Sequence, residues 1–350
     1  MTDTFVLLTT VCVGLLAALL TAGLIVVLEP ILRKYALARP NARSSHTEPT
    51  PQGAGLAVII CPVIVLVLAP FFSTWGISVS TTFPPTYYLV TAILLLAATG
   101  ALDDIRPLPV PVRLMLQALT ALLIVTALPP DLAALPFVPF WLEQTILVFG
   151  LLWFINLTNF MDGIDGMTVV EILPLTISAI LISAIAGTKS LAEMHFVMVA
   201  LAGGLIGFAP FNKYKAKVFL GDVGSLPIGA LSGWMLMMLA KNGFLAAALL
   251  ISLYYLADAT TTLFRRWCHN EKIHEAHRDH AYQIAVDNGF RVAQVTNHVL
   301  ALNVALGLAA LISVELKNPI IDIILLTVGC ALTISLLRHF RRGEPSQSLS

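Results

Sequence analysis

The sequence predicts an all-α protein whose helices cross a membrane many times, and two observations carry this prediction. The first is composition: 58% of the 350 residues are hydrophobic and only 11% are charged, whereas about a quarter of the residues of a soluble domain are charged. The second is the recurrence of apolar runs of about 20 residues, the length that a helix needs to span a bilayer about 30 Å thick. These runs are apolar on all sides rather than alternating, which argues against a β-barrel.

Eleven of these runs are candidate spans. They lie near residues 4–29, 53–72, 86–102, 112–128, 139–158, 167–187, 191–211, 226–240, 243–264, 294–315 and 319–337. Several contain Pro or Gly, which membrane-spanning helices tolerate better than soluble helices do. We expect one membrane domain over residues 1–342, followed by a short polar tail, 343–350, that is disordered.

The distribution of basic residues predicts the orientation of the bundle. If the amino terminus is outside, the outside loops hold only Lys189, Lys241 and Lys317 of the 20 basic residues. All the others then lie on the cytoplasmic side, as the positive-inside rule requires. The carboxyl terminus is then cytoplasmic, and so are the polar loops. These loops are 30–52, 103–112, 159–166, 212–225 and 265–293.

Carboxylates gather at the cytoplasmic edge of several spans. They are Asp103, Asp104, Asp162, Asp165, Asp222 and Asp258. A carboxylate near membrane depth costs roughly 2.5–3.5 kcal/mol on insertion scales, so each is a candidate functional residue. A solvated helix end is the alternative for any one of them alone, and Glu143 and Glu171, which lie elsewhere, are expected to be structural.

Adjacent carboxylates such as Asp103 and Asp104 repel each other unless a cation lies between them, and a divalent metal relieves that repulsion. Magnesium prefers one or two protein carboxylates together with water and phosphate oxygens. A pair of adjacent aspartates alone is weak evidence, because turns and helix ends often contain one.

The stretch NLTNFMDGIDG at 156–166 places polar side chains at the end of an apolar run. Asn156, Asn159 and Asp162 recur every three residues and therefore share a broad helical face. Two glycines flank Asp165 and loosen the backbone there. Amides and carboxylates together suit hydrogen bonds to a sugar or a base, or metal ligation through water.

The segment VFLGDVGSLP at 218–227 predicts an anion site. Two glycines let the backbone around Asp222 approach a ligand closely. Ser225 is a good N-cap for the next span, so free N–H groups and a positive helix end would face a phosphate. An ordinary Gly-rich membrane turn is the alternative. Lys217, just upstream, suits an anionic ligand and also satisfies the positive-inside rule.

The longest inside loop holds HEAHRDHAYQ at 274–283. Three histidines recur every three residues, and Arg278 lies between His277 and His280. As a zinc site this set is incomplete. We expect a cationic cluster that grips a pyrophosphate, because Arg binds phosphate in bidentate fashion. A solvated amphipathic loop is the alternative.

Taken together, these motifs resemble the polyprenyl-phosphate N-acetylhexosamine-1-phosphate transferases, glycosyltransferase family 4, which include phospho-MurNAc-pentapeptide translocase. The motifs occur in the expected order: SSHTEPTPQGAG at 44–55, DDIR at 103–106, NLTNFMDGIDGM at 156–167, FLGDVGS at 219–225 and HRDHAYQ at 277–283. HRDHAYQ differs from the HIHH-type string of the GlcNAc enzymes and is closer to the branch that initiates bacterial O-antigen chains.

The resemblance implies a reaction and a cofactor. A UDP-N-acetylhexosamine donates its sugar 1-phosphate to polyprenyl (undecaprenyl) phosphate and releases UMP, with Mg²⁺ or Mn²⁺ required. By this resemblance Asp222 ligates the metal, with Asp162 as a second candidate ligand, and Asp103 and Asp104 position or deprotonate the lipid phosphate.

The same resemblance implies the substrate contacts. Asn159, Asp162 and Asp165 match positions around the nucleotide and the metal. His277, Arg278 and His280 match the loop that contacts the sugar and phosphates of the donor.

The partners expected are polyprenyl phosphate, a UDP-amino sugar and the membrane, with no nucleic acid and with a homodimer as one candidate assembly. The place expected is the bacterial inner membrane, where O-antigen or another cell-envelope polysaccharide is initiated. The alternative function is a proton-coupled transporter or lipid flippase that uses the carboxylates as proton relays. The acidic residues lie on one face rather than along the midplane, and the sequence has no obvious inverted repeat, which favours the transferase.

Overall fold

The computed structural model describes residues 3–38, 49–73, 85–272 and 277–342. The helices of these ranges are α1 (Asp3–Tyr35), α2 (Gly55–Ser73), α3 (Pro85–Ile105), α4 (Val110–Thr126), α5 (Phe140–Met161), α6 (Met167–Ala186), α7 (Lys189–Asn212), α8 (Asp222–Lys241), α9 (Leu245–Ile251), α10 (Leu253–Cys268), α11 (Ala281–Asp287), α12 (Val292–Leu316) and α13 (Pro319–Arg342). Two short strands, β1 (Leu37–Ala38) and β2 (Thr50–Pro51), complete them. The tail predicted at 343–350 and His274 lie outside the described residues.

The helices confirm an all-α polytopic membrane protein. In the described ranges, eight are long and apolar enough to cross a membrane: α1, α3, α5, α6, α7, α8, α12 and α13. The bent pair α9 and α10 adds a ninth if it is counted as one span. Length and composition thus support eight or nine spans rather than the eleven predicted.

The two remaining predicted spans, 53–72 and 112–128, also form helices, α2 and α4. Counted over the residues whose side chains the structure describes, their apolar stretches are Gly55–Leu68 and Val110–Thr126. The 17 residues of α4 rise about 26 Å at 1.5 Å per residue, less than the bilayer core of about 30 Å.

The segment predicted as a span at 243–264 is bent, because α9 and α10 meet at an angle of 69°. The break lies at Ser252, whose hydroxyl donates to the carbonyl of Ala248 at 2.8 Å. Glu171 of α6 accepts a hydrogen bond from the N–H of Tyr255 in the first turn of α10 (3.3 Å) and another from Asn303 of α12 (2.5 Å). Glu171 therefore has the structural role expected of it, since it satisfies a backbone donor that the break exposes.

The small β-ribbon is an addition to the predicted all-α fold. β1 and β2 are antiparallel, with Leu37 opposite Pro51. The chain then pairs with the segment before α8: the N–H groups of Gly53 and Ala54 both donate to the carbonyl of Phe219, at 3.1 and 3.0 Å. Pro51 favours this extended course because its ring fixes φ. Residues 50–54 are thereby fastened to the segment just before α8.

The helix α8 is the buried centre of the bundle and packs against α2, α3 and α5. Glycines on its neighbours allow the close approach. A Cβ at Gly100 of α3 would lie 2.2 Å from the carbonyl oxygen of Asp222, and one at Gly55 would lie 2.2 Å from the Cα of Gly224. Such small residues bring helix backbones together in membranes, and here they place the start of α8 against the end of α3.

Candidate active site

The candidate site forms where the carboxyl ends of α3 and α5 meet the amino end of α8. Asp104, near the end of α3, accepts two backbone hydrogen bonds there: Oδ1 from the N–H of Asp222 at 3.0 Å and Oδ2 from the N–H of Val223 at 3.1 Å. Gly221 precedes them with φ of 75° and leaves room for this carboxylate, because a Cβ would lie 2.6 Å from Oδ2 of Asp104. Asp104 therefore caps α8 from a different helix, which complements the positive helix end.

The side chain of Asp222 is held by α5. Asn159 donates through Nδ2 to Oδ1 of Asp222 at 2.7 Å and to the hydroxyl oxygen of Ser225 at 2.9 Å. The other oxygen of Asp222, Oδ2, lies 4.0 Å from Nη1 of Arg113, and a quarter of the Asp222 side chain remains exposed. Asp222 thus has a fixed orientation and one oxygen directed to the open part of the site.

Arg113, in the first turn of α4, joins the site as a residue that the sequence analysis missed. Its Nη1 lies 3.0 Å from Oδ2 of Asp103, whose Oδ1 accepts the N–H of Leu108 at 2.6 Å. We counted Arg113 only as a positive-inside residue, although an arginine shortly after an adjacent pair of aspartates is a signal for such a pairing. The structure therefore separates the two aspartates, since Asp103 holds Arg113 and Asp104 holds α8.

Asp162 directly follows α5, outside the spanning segment, and accepts a hydrogen bond from the hydroxyl of Thr168 at 2.5 Å. Burial raises its pKa to about 7, and the charges of Asp104 and Asp165 add to this shift although the Thr168 hydrogen bond opposes it. Thr168 is a second residue that the sequence analysis missed. The raised pKa of Asp162 therefore reflects its burial first and the neighbouring carboxylates second.

Asp165 and the loop around it are fastened to the α7–α8 loop. Oδ2 of Asp165 accepts the N–H of Ala216 at 3.0 Å, and the N–H of Gly166 donates to Oδ1 of Asn212 at 2.9 Å. Asp165 is buried, whereas Lys217 is exposed next to this contact. The structure therefore brings Lys217 near the polar loop, and the roles of both residues toward a substrate stay predictions.

Asn156 lies deeper, between α4 and α5. Its Nδ2 donates to Oε1 of Gln117 and to the carbonyl of Leu152, both at 2.8 Å, and the residue is 7% exposed. Gln117 is fully buried. Sequence reasoning missed this pair, which joins two helices by an interhelical hydrogen bond. The substrate contact of Asn156 stays a prediction.

Residues 277–280, just before α11, are called the histidine loop below. This loop differs from the cationic cluster that we expected, because one of its rings is buried. His280 is 2% exposed, and its ring lies 5.0 Å from that of His277 and 5.8 Å from that of Tyr282, measured between centroids. Burial lowers the pKa of His280 to about 4, so this ring is neutral at pH 7. Arg278 of the same loop pairs with Asp287 at 2.7 Å.

Asp258 of α10 supports this loop by a second remote cap. Its Oδ1 accepts the N–H of Ala281 at 2.8 Å and its Oδ2 accepts that of Tyr282 at 3.3 Å, at the start of α11. The hydroxyl of Tyr282 donates to the carbonyl of Phe160 at 3.0 Å. A Cβ at Gly163 would lie 2.1 Å from that hydroxyl oxygen. The histidine loop is thereby packed on the loop that carries Asp162.

The donor atoms of the site suit a hard divalent cation. The carboxylate of Asp222 lies close enough to those of Asp103 and Asp104 for their charges to repel. The carboxylate of Asp162 likewise lies within repelling distance of Asp104. Within the described ranges, no three His, Cys, Asp or Glu side chains surround one metal position. Magnesium does not need such a cage, because it takes one or two carboxylates and completes its shell with water and phosphate oxygens. The carboxylates therefore fit a magnesium ion that arrives with a phosphate ligand.

The residues of the candidate site lie within a segment that matches the sequence model of a known protein family. The sequence model described as glycosyl transferase family 4 matches residues 86–240. That range runs from α3 to α8 and contains Asp103, Asp104, Asn159 and Asp222.

The similarity to individual proteins extends further along the chain. A phospho-N-acetylmuramoyl-pentapeptide-transferase of Streptococcus mutans is 25% identical over 280 residues, which cover 73% of this chain and 79% of the relative. A Bacillus subtilis protein named "probable undecaprenyl-phosphate N-acetylglucosaminyl 1-phosphate transferase" is 27% identical over 291 residues, 78% of this chain and 76% of the relative. A phospho-N-acetylmuramoyl-pentapeptide-transferase of Streptococcus suis is 34% identical over 130 residues, 37% of this chain and 35% of the relative. Residues 86–240 thus match glycosyl transferase family 4, and most of the chain is similar to these transferases.

Proposed function

We propose that this protein transfers the sugar 1-phosphate of a UDP-N-acetylhexosamine to polyprenyl phosphate and releases UMP. The observation that carries the proposal is the fixed position of Asp222, at the amino end of a buried helix and beside Asp103, Arg113 and Asn159. A helix amino end with carboxylates and an arginine suits a phosphate that arrives with a cation. Two relatives that align over about three quarters of the chain are named as transferases of phosphorylated sugars.

The reaction is a substitution at phosphorus. An oxygen of the lipid phosphate attacks the phosphorus that carries the sugar, and a new P–O bond joins the two. The bond from that phosphorus to the oxygen that bridges it to the uridine-side phosphate breaks, and UMP leaves with the electron pair. Such transfers depend on positioning and on neutralising charge more than on covalent chemistry, which this site supplies through its fixed side chains.

The acceptor phosphate is assigned to Arg113. Its guanidinium lies between Asp103 and Asp222, at 3.0 and 4.0 Å, near the end of α3. Asp103 orients this guanidinium, which can hold a phosphate in bidentate fashion. Asp104 acts through the backbone: because both of its oxygens accept N–H groups of α8, it positions Asp222 rather than deprotonating the lipid phosphate.

The donor is assigned to the opposite side of the site. Asp222 and Asp162 would hold Mg²⁺ or Mn²⁺, which when bound neutralises phosphate charge and polarises the bond that breaks. Lys217, His277 and Arg278 supply donors for the phosphates and the sugar. His280, which is neutral and buried, orients His277 by ring contact.

The place of the reaction follows from the lipid acceptor. We propose a bacterial inner-membrane enzyme with this site facing the cytoplasm, where a soluble nucleotide sugar meets a phosphate held at the membrane. Its product would begin O-antigen or another cell-envelope polysaccharide.

The experiment uses membranes that carry the protein, undecaprenyl phosphate, Mg²⁺ and a panel of UDP-GlcNAc, UDP-GalNAc and their 6-deoxy counterparts. The proposal expects a lipid-linked sugar and UMP in equal amounts with at least one donor. If no donor gives either product, the transferase proposal fails. A proton-coupled transporter would instead dissipate a proton gradient in sealed vesicles and form no lipid-linked sugar.

A further inference from the structure

The last helix ends against the histidine loop, well outside the range of the family match. The two carbonyls at its end, those of Phe340 and Arg341, accept hydrogen bonds from Nδ2 of Asn288 at 3.0 and 3.2 Å. Asn288 itself follows α11. Helix ends leave such carbonyls without internal partners, so Asn288 fixes α13 to the element that continues the histidine loop.

The side chain of Arg341 makes the second connection. Its Nη2 donates to the hydroxyl oxygen of Thr262 on α10 at 3.1 Å and to the carbonyl oxygen of Asp279 at 3.4 Å. One guanidinium thus links α13, α10 and the loop. The residues immediately before Asp279 are His277 and Arg278, both assigned to the donor.

Two other contacts hold the same loop at different atoms. The carboxylate of Asp279 pairs with Arg266 of α10, and Asp258 accepts the N–H of Ala281. Neither contact restrains the carbonyl of Asp279, which accepts hydrogen bonds from Arg341 and from the hydroxyl of Thr262, both at 3.4 Å. Arg341 also donates to that hydroxyl oxygen, so it supports both donors of the Asp279 carbonyl. The guanidinium of Arg341 also lies within electrostatic reach of Asp258 and Asp279.

The stability of α13 alone does not explain an arginine at position 341. Its Nη1 is buried and has no hydrogen-bond partner among the described residues, and an unsatisfied buried donor is unfavourable. Replacing buried charged groups by apolar ones often leaves stability unchanged or improves it. A charged side chain at this position is better explained by the loop that it holds than by the packing of α13.

We propose that Arg341 is a positioning residue, which holds the carbonyl of Asp279 so that His277 and Arg278 face the donor. This inference rests on the proposed function, because it assigns the loop to the nucleotide sugar. It gives the last membrane helix a part in donor binding that residues 86–240 alone do not provide.

The test compares Arg341→Met with Arg342→Met, a matched change of the adjacent exposed arginine, in the full-length protein. We expect Arg341→Met to raise the KM for UDP-GlcNAc or UDP-GalNAc, whichever the wild type uses, by about tenfold or more, as the loss of a charge-assisted hydrogen bond allows. The KM for undecaprenyl phosphate stays within about twofold of the wild type. Arg341→Lys, which keeps the charge, gives an intermediate KM for the donor and serves as the test variant if Arg341→Met does not insert.

Hydrogen exchange of the substrate-free protein separates this inference from the proposed function. The amides of residues 277–283 exchange about tenfold faster in Arg341→Met than in Arg342→Met, while those of 162–168 do not change. A donor KM equal to that of Arg342→Met, or unchanged exchange at 277–283, overturns the role of Arg341. A wild type without transferase activity overturns the proposed function instead, and exchange still shows whether Arg341 holds the loop.

Discussion

Asp104 and Asp222 are joined through the backbone: Oδ1 of Asp104 accepts the N–H of Asp222 at 3.0 Å, although 118 positions separate the two residues in sequence. The second oxygen of Asp104 accepts the N–H of Val223. The carboxylate of one helix therefore determines where the next functional carboxylate stands. The same arrangement recurs where Asp258 caps α11 and Glu171 caps α10, so remote carboxylate caps are a repeated structural device of this bundle.

Asp104→Asn tests this cap. The amide offers one acceptor oxygen where two are needed and brings a donor against a backbone N–H, so we expect a loss of about 1–2 kcal/mol in stability, as for other N-caps. Transfer falls by about a hundredfold, because a misplaced Asp222 no longer fits the site. Thermal unfolding in detergent and initial rates measure the two effects. An Asn variant with wild-type rate contradicts the positioning role.

Gly100→Ala tests the close approach of α3 and α8 without touching a polar group. The added methyl would lie 2.2 Å from the carbonyl oxygen of Asp222, so the helices must move apart. We expect activity to fall by about a hundredfold. Gly150→Ala is the matched control, because a Cβ at Gly150 of α5 meets nothing within 4 Å. Equal rates for the two variants would show that the spacing of α3 and α8 does not govern the site.

Arg113→Met tests the assignment of the acceptor phosphate. Removing the guanidinium leaves Asp103 without its partner at 3.0 Å. We expect the KM for undecaprenyl phosphate to rise by about tenfold or more, with a smaller effect on the KM for the donor. Arg106→Met, which changes an exposed arginine in the loop just before α4, provides the control. A rise confined to the donor KM would move Arg113 to the other substrate.

His280 predicts an acid-sensitive contribution to stability. Its pKa falls from 6.5 to about 4 in the folded protein, mainly through burial. The folded state therefore binds a proton less readily than the unfolded state. The contribution is complete above about pH 6.5 and is lost as the pH falls toward 4.

His280→Gln removes this titration. We expect its unfolding temperature to change less than that of the wild type between pH 6.5 and 4, whereas the exposed His269→Gln follows the wild type. Asp162 has a raised pKa and an opposite slope, but it is present in all three proteins and cancels in the comparison. Parallel curves for His280→Gln and the wild type would mean that His280 is not buried as a neutral ring.

Much of the bundle could be predicted because apolar length determines where helices form in a membrane. The distribution of the basic residues also predicted that DDIR, NLTNFMDGIDG and FLGDVGS would lie on one side of the membrane. The structure brings residues of all three segments together, namely Asp103, Asp104, Asn159 and Asp222. Apolar runs do not reveal a break such as Ser252, because it depends on Glu171 of a distant helix to satisfy the exposed N–H.

The partners of the site residues were harder to predict for the same reason. Arg113, Gln117 and Thr168 lie on helix faces that only the packed bundle brings to Asp103, Asn156 and Asp162. Spacing also suggested that His280 would be charged. Its burial under α10 and the rings of His277 and Tyr282 is a tertiary effect.

The most direct test of the central claim follows the two halves of the donor separately. A UDP-N-acetylhexosamine labelled in uridine with one isotope and in the sugar-bearing phosphate with another is incubated with purified protein, undecaprenyl phosphate and Mg²⁺. The account predicts that the phosphate label enters the lipid, that the uridine label appears in UMP, and that Asp222→Asn, inserted normally, forms neither product. Release of both labels together as UDP, or full activity of Asp222→Asn, would contradict it.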